Sequence, residues 1–425
     1  MQYKKYEMNS FNLYTIKTDK FKNCHMEIIF RKQVEEKNVT KRVFLNDLIT
    51  YSSSKYPTKK EVNICLEELY NTHFYNVTTR VGNALMSIFM LDFIAPKYIE
   101  EDILEEYLEL PFSFLFKPNI KDGAFDLNSY NVIKNRLDAE FDTLRENASK
   151  YAIRRAIKNM ENNSISSITL PGIKEELEDI SREDLVKEHI SMLESDLCDI
   201  YIIGDLDMDY VASIIEKKCL LRSLKRETLE LLAETKPTKK EKVIKESDNF
   251  SQAQLVMIYN LLDFTDRERN SVINIFNSIF GSASISNKLA QNLREKNSLC
   301  YTVTSIPQRF DNLLFVYAGI DSSNFDIAVK LVKKSLKEMQ IGDFTEEDVE
   351  FAKLDLITAL KLGEDSQNRL IDNYVFNTIS NRALIQEEIK TLKSISKEEV
   401  VAVANKIKLN ITYLLQDGGE DVERN

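Results

Sequence analysis

The chain has 425 residues, 43% of them apolar and 29% charged, with a formal net charge of −11. That length is more than one hydrophobic core normally organises, so two or three domains are expected. Lysine and arginine are interleaved with aspartate and glutamate and form no stripe, which argues against nucleic acid as a partner.

The first twenty residues, MQYKKYEMNSFNLYTIKTDK, carry no apolar run behind their lysines. No window approaches the roughly 18 apolar residues of a membrane span, so a cytoplasmic location is expected. Cys24, Cys65, Cys198, Cys219 and Cys300 are odd in number, far apart and free of C-x-x-C spacing. They read as reduced, buried thiols.

In YPTKKEVNICLEELY a Thr58/Glu61 capping box precedes Val62, Cys65, Leu66 and Leu69 at helical spacing, predicting a helix that packs on a sheet. HFYNVTTRVGNALMSIFMLDFIA then reads as strand, turn and strand, rich in β-branched and aromatic residues. A helix follows in FDLNSYNVIKNRL, another opens at the Ser-x-x-acid box of ISREDLV, and DIYIIGD closes the series as a strand.

From Lys225 to Asn249 the sequence is charged, contains Pro237 and lacks a sustained apolar face, which marks an interdomain linker over 225–249. Its PTKKEK segment reads as solvated linker. Beyond it, LVMIYNLLDF at 255–264 is apolar throughout and predicts a buried strand. SISNKLAQNLREK places Ile285, Leu289 and Leu293 on one helical stripe, and LCYTVTS begins a strand.

The second half repeats the first. HFYNVTTRVGNALMSIFMLDFIA aligns with SLCYTVTSIPQRFDNLLFVYAGI at an offset of 226 (301 − 75), matching Tyr75 with Tyr301 and Phe89 with Phe315. FDLNSYNVIKNRL aligns with FTEEDVEFAKLDL at 219 (344 − 125), and ISREDLV with ISKEEVV at 215 (395 − 180). Three colinear matches imply two tandem homologous domains, 1–224 and 250–425. The fold class expected is α+β, each domain a mostly antiparallel sheet with helices packed on one face.

Arg294 stands at the end of a helix and Tyr301 near the start of the next strand. A guanidinium fork and a phenol suit a peptide carbonyl or the oxyanion formed when water attacks it. The helix dipole and strand propensity explain the same two residues without any ligand.

FGSASISNKLAQNLREKNSLCYTV resembles the C-terminal half of the pitrilysin/insulinase zinc metallopeptidases, in a glycine-containing loop, a helix ending Leu-Arg-Glu-Lys and a tyrosine opening a strand. The two similar halves extend the resemblance over nearly the whole chain. It implies that Arg294 and Tyr301 bind substrate, in a site whose zinc is held by a different half-unit.

The same resemblance places an H-x-x-E-H motif ahead of SSSKYPTKKEV. The residues there are VFLND, so Val43 and Asp47 occupy the histidine positions and Asn46 that of the general base, with Glu140 near the downstream ligand. Valine offers no lone pair, and an amide does not accept a proton from water as a carboxylate does. Zinc needs three protein ligands with an acid/base group beside its water, so these positions form a degenerate metal site. His25, His73 and His189 are 48 and 116 residues apart and show no metal-ligand spacing.

The resemblance therefore implies a non-catalytic, peptide-binding subunit of a heterodimeric zinc peptidase. No cofactor is expected in this chain; zinc is expected in a homologous partner chain that performs hydrolysis. The alternative is a scaffold subunit of the same fold with no role in peptide turnover. An enzyme with a divergent metal site is a third reading, disfavoured by how strictly zinc catalysis specifies its ligands.

Overall fold

A computed structural model describes residues 1–160, 165–222, 229–234, 238, 240–282 and 286–418. The chain divides into two compact units, Met1–Phe141 with Ile168–Glu230 and Ser366–Val375, and Asp142–Ser167 with Leu231–Asp365 and Phe376–Asn425. It is an α+β protein with one large sheet in each unit, as the hydrophobic periodicity predicts.

The first unit opens with β1 (Gln2–Glu7), β2 (Asn12–Lys17) and β3 (Asn23–Gln33), then α1 (Glu36–Tyr51) and α2 (Lys59–Glu68). The hairpin β4 (His73–Val81) and β5 (Ala84–Ile94) follows, with α3 (Leu104–Phe116), the short β6 (Ile120–Lys121) and β7 (Ala124–Phe125), and α4 (Leu127–Glu146). After α5 (Ala148–Lys158) come α6 (Lys174–Asp179), α7 (Arg182–Ser195), β8 (Leu197–Gly204) and α8 (Met208–Lys218).

The second unit contains β9 (Lys242–Asp248), β10 (Ala253–Leu261), α9 (Ile273–Phe280), β11 (Cys300–Gln308) and β12 (Leu313–Ile320). Helices α10 (Phe325–Gln340), α11 (Glu346–Gly363), α12 (Gln367–Ser380), α13 (Ile385–Ser394) and α14 (Lys397–Asn405) precede the last strand, β13 (Ile407–Asp417). Part of the 225–249 stretch, Pro237 included, lies outside the described residues, and its end is β9.

The internal repeat is visible in the topology. One sheet runs β1-β2-β8-β3-β5-β4 and the other, read from its far edge, β9-β13-β10-β12-β11. The parallel pair β2/β8 is matched by the parallel pair β9/β13, and every other pairing in these two sheets is antiparallel. The aligned hairpins β4/β5 and β11/β12 both lie at a sheet edge.

The local signals are realised where the chain's own neighbours determine them. Thr58/Glu61, Ser181/Asp184 and Ser396/Glu399 form reciprocal capping boxes that satisfy the first N–H groups of α2, α7 and α14. Strand β10 is buried along its whole length, and all five cysteines are free and buried. Ile285 lies outside the described residues, whereas Leu289 and Leu293 are fully buried.

Each sheet also receives a helix on a second face. Alternation along β10 divides its side chains between two faces. Val256 and Ile258 pack with Ala152, Ala156 and Ile157 of α5, a helix from the N-terminal half of the sequence. Correspondingly, the first turns of α12 belong to the first unit, where the Tyr374 ring stacks on Tyr3 and Tyr3 on Tyr14. Among the described residues, no helix is long and apolar enough to cross a membrane.

Candidate functional site

Helix α1 is apolar on most of its circumference, with Val39, Phe44, Leu45, Leu48 and Ile49 buried in the first unit's core. That burial holds positions 43, 46 and 47 rigidly against β4 and β5. Val43 belongs to the same apolar cluster. Asn46 is fully buried; its Nδ2 donates to Thr78 Oγ1 at 2.7 Å and to Ser87 Oγ at 2.8 Å, so it ties α1 to a cross-strand pair of β4 and β5. Its Oδ1 has no hydrogen-bond partner among the described residues.

Asp47 Oδ2 pairs with Arg136 Nη2 of α4 at 2.5 Å, and its Oδ1 accepts from Asn76 Nδ2 at 3.1 Å. Glu140 stands one helical turn beyond Arg136 and is exposed. Val43, Asn46 and Asp47 share one stretch of α1, and Arg136 of α4, not Glu140, makes the ion pair with Asp47. The α4 residue that faces Asp47 is a cation. Sequence reasoning missed Arg136, because no periodic signal joins two residues 89 positions apart (136 − 47).

Directly beneath, Arg42 has no solvent exposure. Its Nε and Nη2 donate to Glu188 Oε1 at 2.9 and 2.7 Å, its Nη1 donates to Asp196 Oδ2 at 2.5 Å, and Lys32 reaches Glu188 at 2.8 Å. Burial opposes the Arg42 charge, and Asp196 and Glu188 overcome it, so its pKa rises. Two cations and two carboxylates balance, which is what a dry interior requires.

Zinc does not fit this set of side chains. A methyl-bearing side chain, an amide already donating to two hydroxyls and a carboxylate closed by a guanidinium leave no three-ligand set. Among the described residues there is no group of three or more His, Cys, Asp or Glu able to hold a metal ion.

His25 and His73 lie opposite Asp92 on the two strands that flank β5, and His189 is on α7. His73 is exposed at the start of β4, and His189 is buried with Nε2 bonded to the Leu115 carbonyl at 2.7 Å. His25 is buried between two carboxylates, Asp92 at 2.6 Å from Nδ1 and Glu27 at 3.1 Å from Nε2. Burial lowers its pKa, but the hydrogen bonds its ring N–H groups donate to Asp92 and Glu27 outweigh that and hold it at about 9.

In the second unit, residues Ala290–Glu295 form a π-helical stretch that carries Arg294. The helix closes through Ser298, whose φ of 53° turns the chain, with the N–H groups of Ser298 and Leu299 bonded to the carbonyls of Arg294 and Leu293. That closure aims the chain into β11. Arg294 and Tyr301 line one open cleft of about 540 Å³ together with Gln252, Ser298 and Asn324. The Arg294 side chain is one-third exposed and donates from Nε to Glu295 at 2.7 Å. Tyr301 is 90% exposed.

Strand β11 is an edge strand, and its register against β12 shifts between Cys300 and Val303, so Tyr301 and Thr302 stand in the irregularity. Such an edge offers backbone donors and acceptors to an incoming strand.

Comparison with known proteins agrees with this geometry. The family described as Peptidase M16 inactive domain matches residues 179–356. A protein of Bacillus subtilis (strain 168) described as "Probable inactive metalloprotease YmfF" is 26% identical over 405 residues, 94% of each chain. Residues 179–356 thus match the M16 peptidase family, and nearly the whole chain is similar to that Bacillus subtilis protein.

Solved structures share this fold. A conserved protein from Enterococcus faecalis V583 superposes with a TM-score of 0.91 at 22% identity, covering 99% of this chain and 100% of that one. The peptidase M16 inactive domain from Pseudomonas fluorescens gives 0.81 at 16% identity, covering 100% of both. Val43, Asn46 and Asp47 stand where the resemblance puts the metal-site residues, and the Bacillus subtilis relative is itself described as a probable inactive metalloprotease.

Proposed function

We propose that this chain is the non-catalytic, peptide-binding subunit of a heterodimeric M16 zinc peptidase, acting in the cytoplasm. One contrast carries the reading: the metal position is closed by the Asp47–Arg136 ion pair, while Arg294 and Tyr301 line an open cleft beside a free strand edge. A homologous partner chain supplies zinc and the general base. This chain supplies the guanidinium and phenol that grip the peptide backbone, and β11 takes the peptide as an added strand. The two halves of the chain divide within 225–249.

The experiment is to purify the chain alone and measure bound zinc and cleavage of a fluorogenic peptide mixture, then repeat after mixing with a zinc-bearing M16 homologue encoded in the same genome. No zinc and no cleavage alone, with cleavage in the mixture reduced by Arg294→Ala while assembly is intact, is the expected result. Stoichiometric zinc and turnover in the isolated chain overturn it. An unchanged rate for Arg294→Ala in an intact complex assigns a scaffold role instead.

A further inference from the structure

The second unit holds a larger cleft that the peptide-gripping reading does not use. It has a volume of about 1250 Å³ and runs between α11 and the helical segment that includes Lys288 and Lys296. Small-molecule pockets commonly span about 300–1,000 Å³ with enclosed apolar walls, whereas this one is open and lined by charged and apolar groups alike.

The α11 wall carries apolar side chains that are mostly open to solvent. Phe351 and Leu354 are each 62% exposed, and Leu362, two turns further along the same helix, is 63% exposed. With Thr358 they fall at i, i+3, i+7 and i+11, a continuous stripe along one helix face. The opposite face of α11 is already spent, because Val349, Ala352 and Ile357 are buried in the unit. Eleven residues of helix make the stripe about 16 Å long, the span over which a partner helix of three turns lies alongside.

Charge states what kind of helix. Between Asp343 and Thr358 the sequence has six acids and one lysine, and that lysine, Lys353, is committed to Glu350 at 2.7 Å. Asp343 and Asp355, both in the cleft wall, have no hydrogen-bond or ion-pair partner through their side chains among the described residues. The cleft's two lysines, Lys288 and Lys296, stand on the facing wall, so the acids surround the exposed phenyl and isobutyl groups on the α11 wall, and that wall complements an apolar face bordered by lysine or arginine. A second copy of this chain, with its net charge of −11, is the wrong sign for it.

We infer that the α11 cleft is a docking groove for a basic amphipathic helix of another protein, with Phe351 and Leu354 as the apolar anchors and Asp343 and Asp355 as the charge readers. The inference stands apart from the subunit reading, since none of these residues lines the Arg294/Tyr301 cleft.

The test uses the full chain and two fluorescein-labelled synthetic helices of 18 residues, both with leucine at i, i+3, i+7 and i+11, one flanked by lysine and the other by glutamate. Fluorescence anisotropy is expected to show binding of the lysine helix only, weakened at least about tenfold by Phe351→Asp. The double variant Asp343→Lys, Asp355→Lys is expected to reverse the preference toward the glutamate helix. Circular dichroism melting establishes that the variants are folded, which these exposed positions permit. Equal binding of both helices, no binding of either, or Phe351→Asp without effect overturns the inference. So does sedimentation showing a homodimer that Phe351→Asp dissolves.

Discussion

Asp47 of α1 and Arg136 of α4 meet through Oδ2 and Nη2 at 2.5 Å, across the position where the M16 resemblance places zinc. A guanidinium there supplies the positive charge to which a carboxylate turns, but it carries no open coordination position and cannot lower the pKa of a water as zinc does.

The pair is half open to water, with Arg136 56% exposed and Asp47 16%. Screening limits its worth, so Arg136→Ala should cost less than about 1 kcal/mol. Asp47→Ala should cost somewhat more, about 1 kcal/mol, because Asn76 also loses its acceptor. A double-mutant cycle by urea denaturation measures the coupling, expected near 0.5 kcal/mol. Adding zinc or a chelator should leave the melting temperature of the wild-type chain unchanged.

Arg42 behaves differently because it is wholly buried. Arg42→Met leaves Glu188 and Asp196 facing each other with only Lys32 as a counter-charge. The expected loss is about 3–5 kcal/mol, read as a fall in the denaturation midpoint. Replacing Arg42 by lysine should recover only part of it, since an ammonium cannot span both carboxylates as the fork does.

His25 gives the chain a defined pH response. Its pKa rises from about 6.5 in the unfolded chain to about 9 in the fold, through Asp92 and Glu27, against the burial that opposes it. Stability from this proton is fully present below the unfolded value and is lost as pH rises through the folded one. Denaturation between pH 6 and 10 should show falling stability across that window, and His25→Gln should flatten the slope. Asp92 acts at the other end. Burial raises its pKa, but His25 outweighs burial and lowers it, so its contribution is lost as pH falls through the folded value.

Arg294 and Tyr301 contribute little to the fold. Arg294→Ala and Tyr301→Phe should each change unfolding free energy by less than about 0.5 kcal/mol, since Tyr301 is exposed and the partly exposed Arg294 pairs only with its neighbour Glu295. Peptide affinity in the assembled complex should fall about tenfold for Arg294→Ala, measured by competition against a labelled peptide. A stable variant with unchanged affinity removes the pair from substrate binding.

Much of the architecture is legible in the sequence because the forces concerned act within one turn or one hairpin. The capping boxes at Thr58, Ser181 and Ser396 satisfy N–H groups three residues away, and the apolar run of β10 needs only its own composition to demand burial. The expectation of a degenerate metal site is equally local, since a valine at 43 offers no lone pair and an amide at 46 does not act as a base whatever surrounds them. The repeat, too, is a sequence property, and it reappears as matched strand orders.

Other features required the folded chain. Arg136 rather than Glu140 faces Asp47, His25 sits between Glu27 and a residue 67 positions away, and α5 leaves its sequence neighbours to cover β10 and β13. The π-helical turn that carries Arg294 toward Tyr301 replaces the expected regular helix, and Phe351 stays exposed on a helix that already buries apolar residues on its opposite face. A residue's neighbours within a few positions are set by bond geometry, whereas partners tens of positions apart are chosen by which packing of whole helices and sheets excludes the most water. Only that global competition decides where each distant side chain comes to rest.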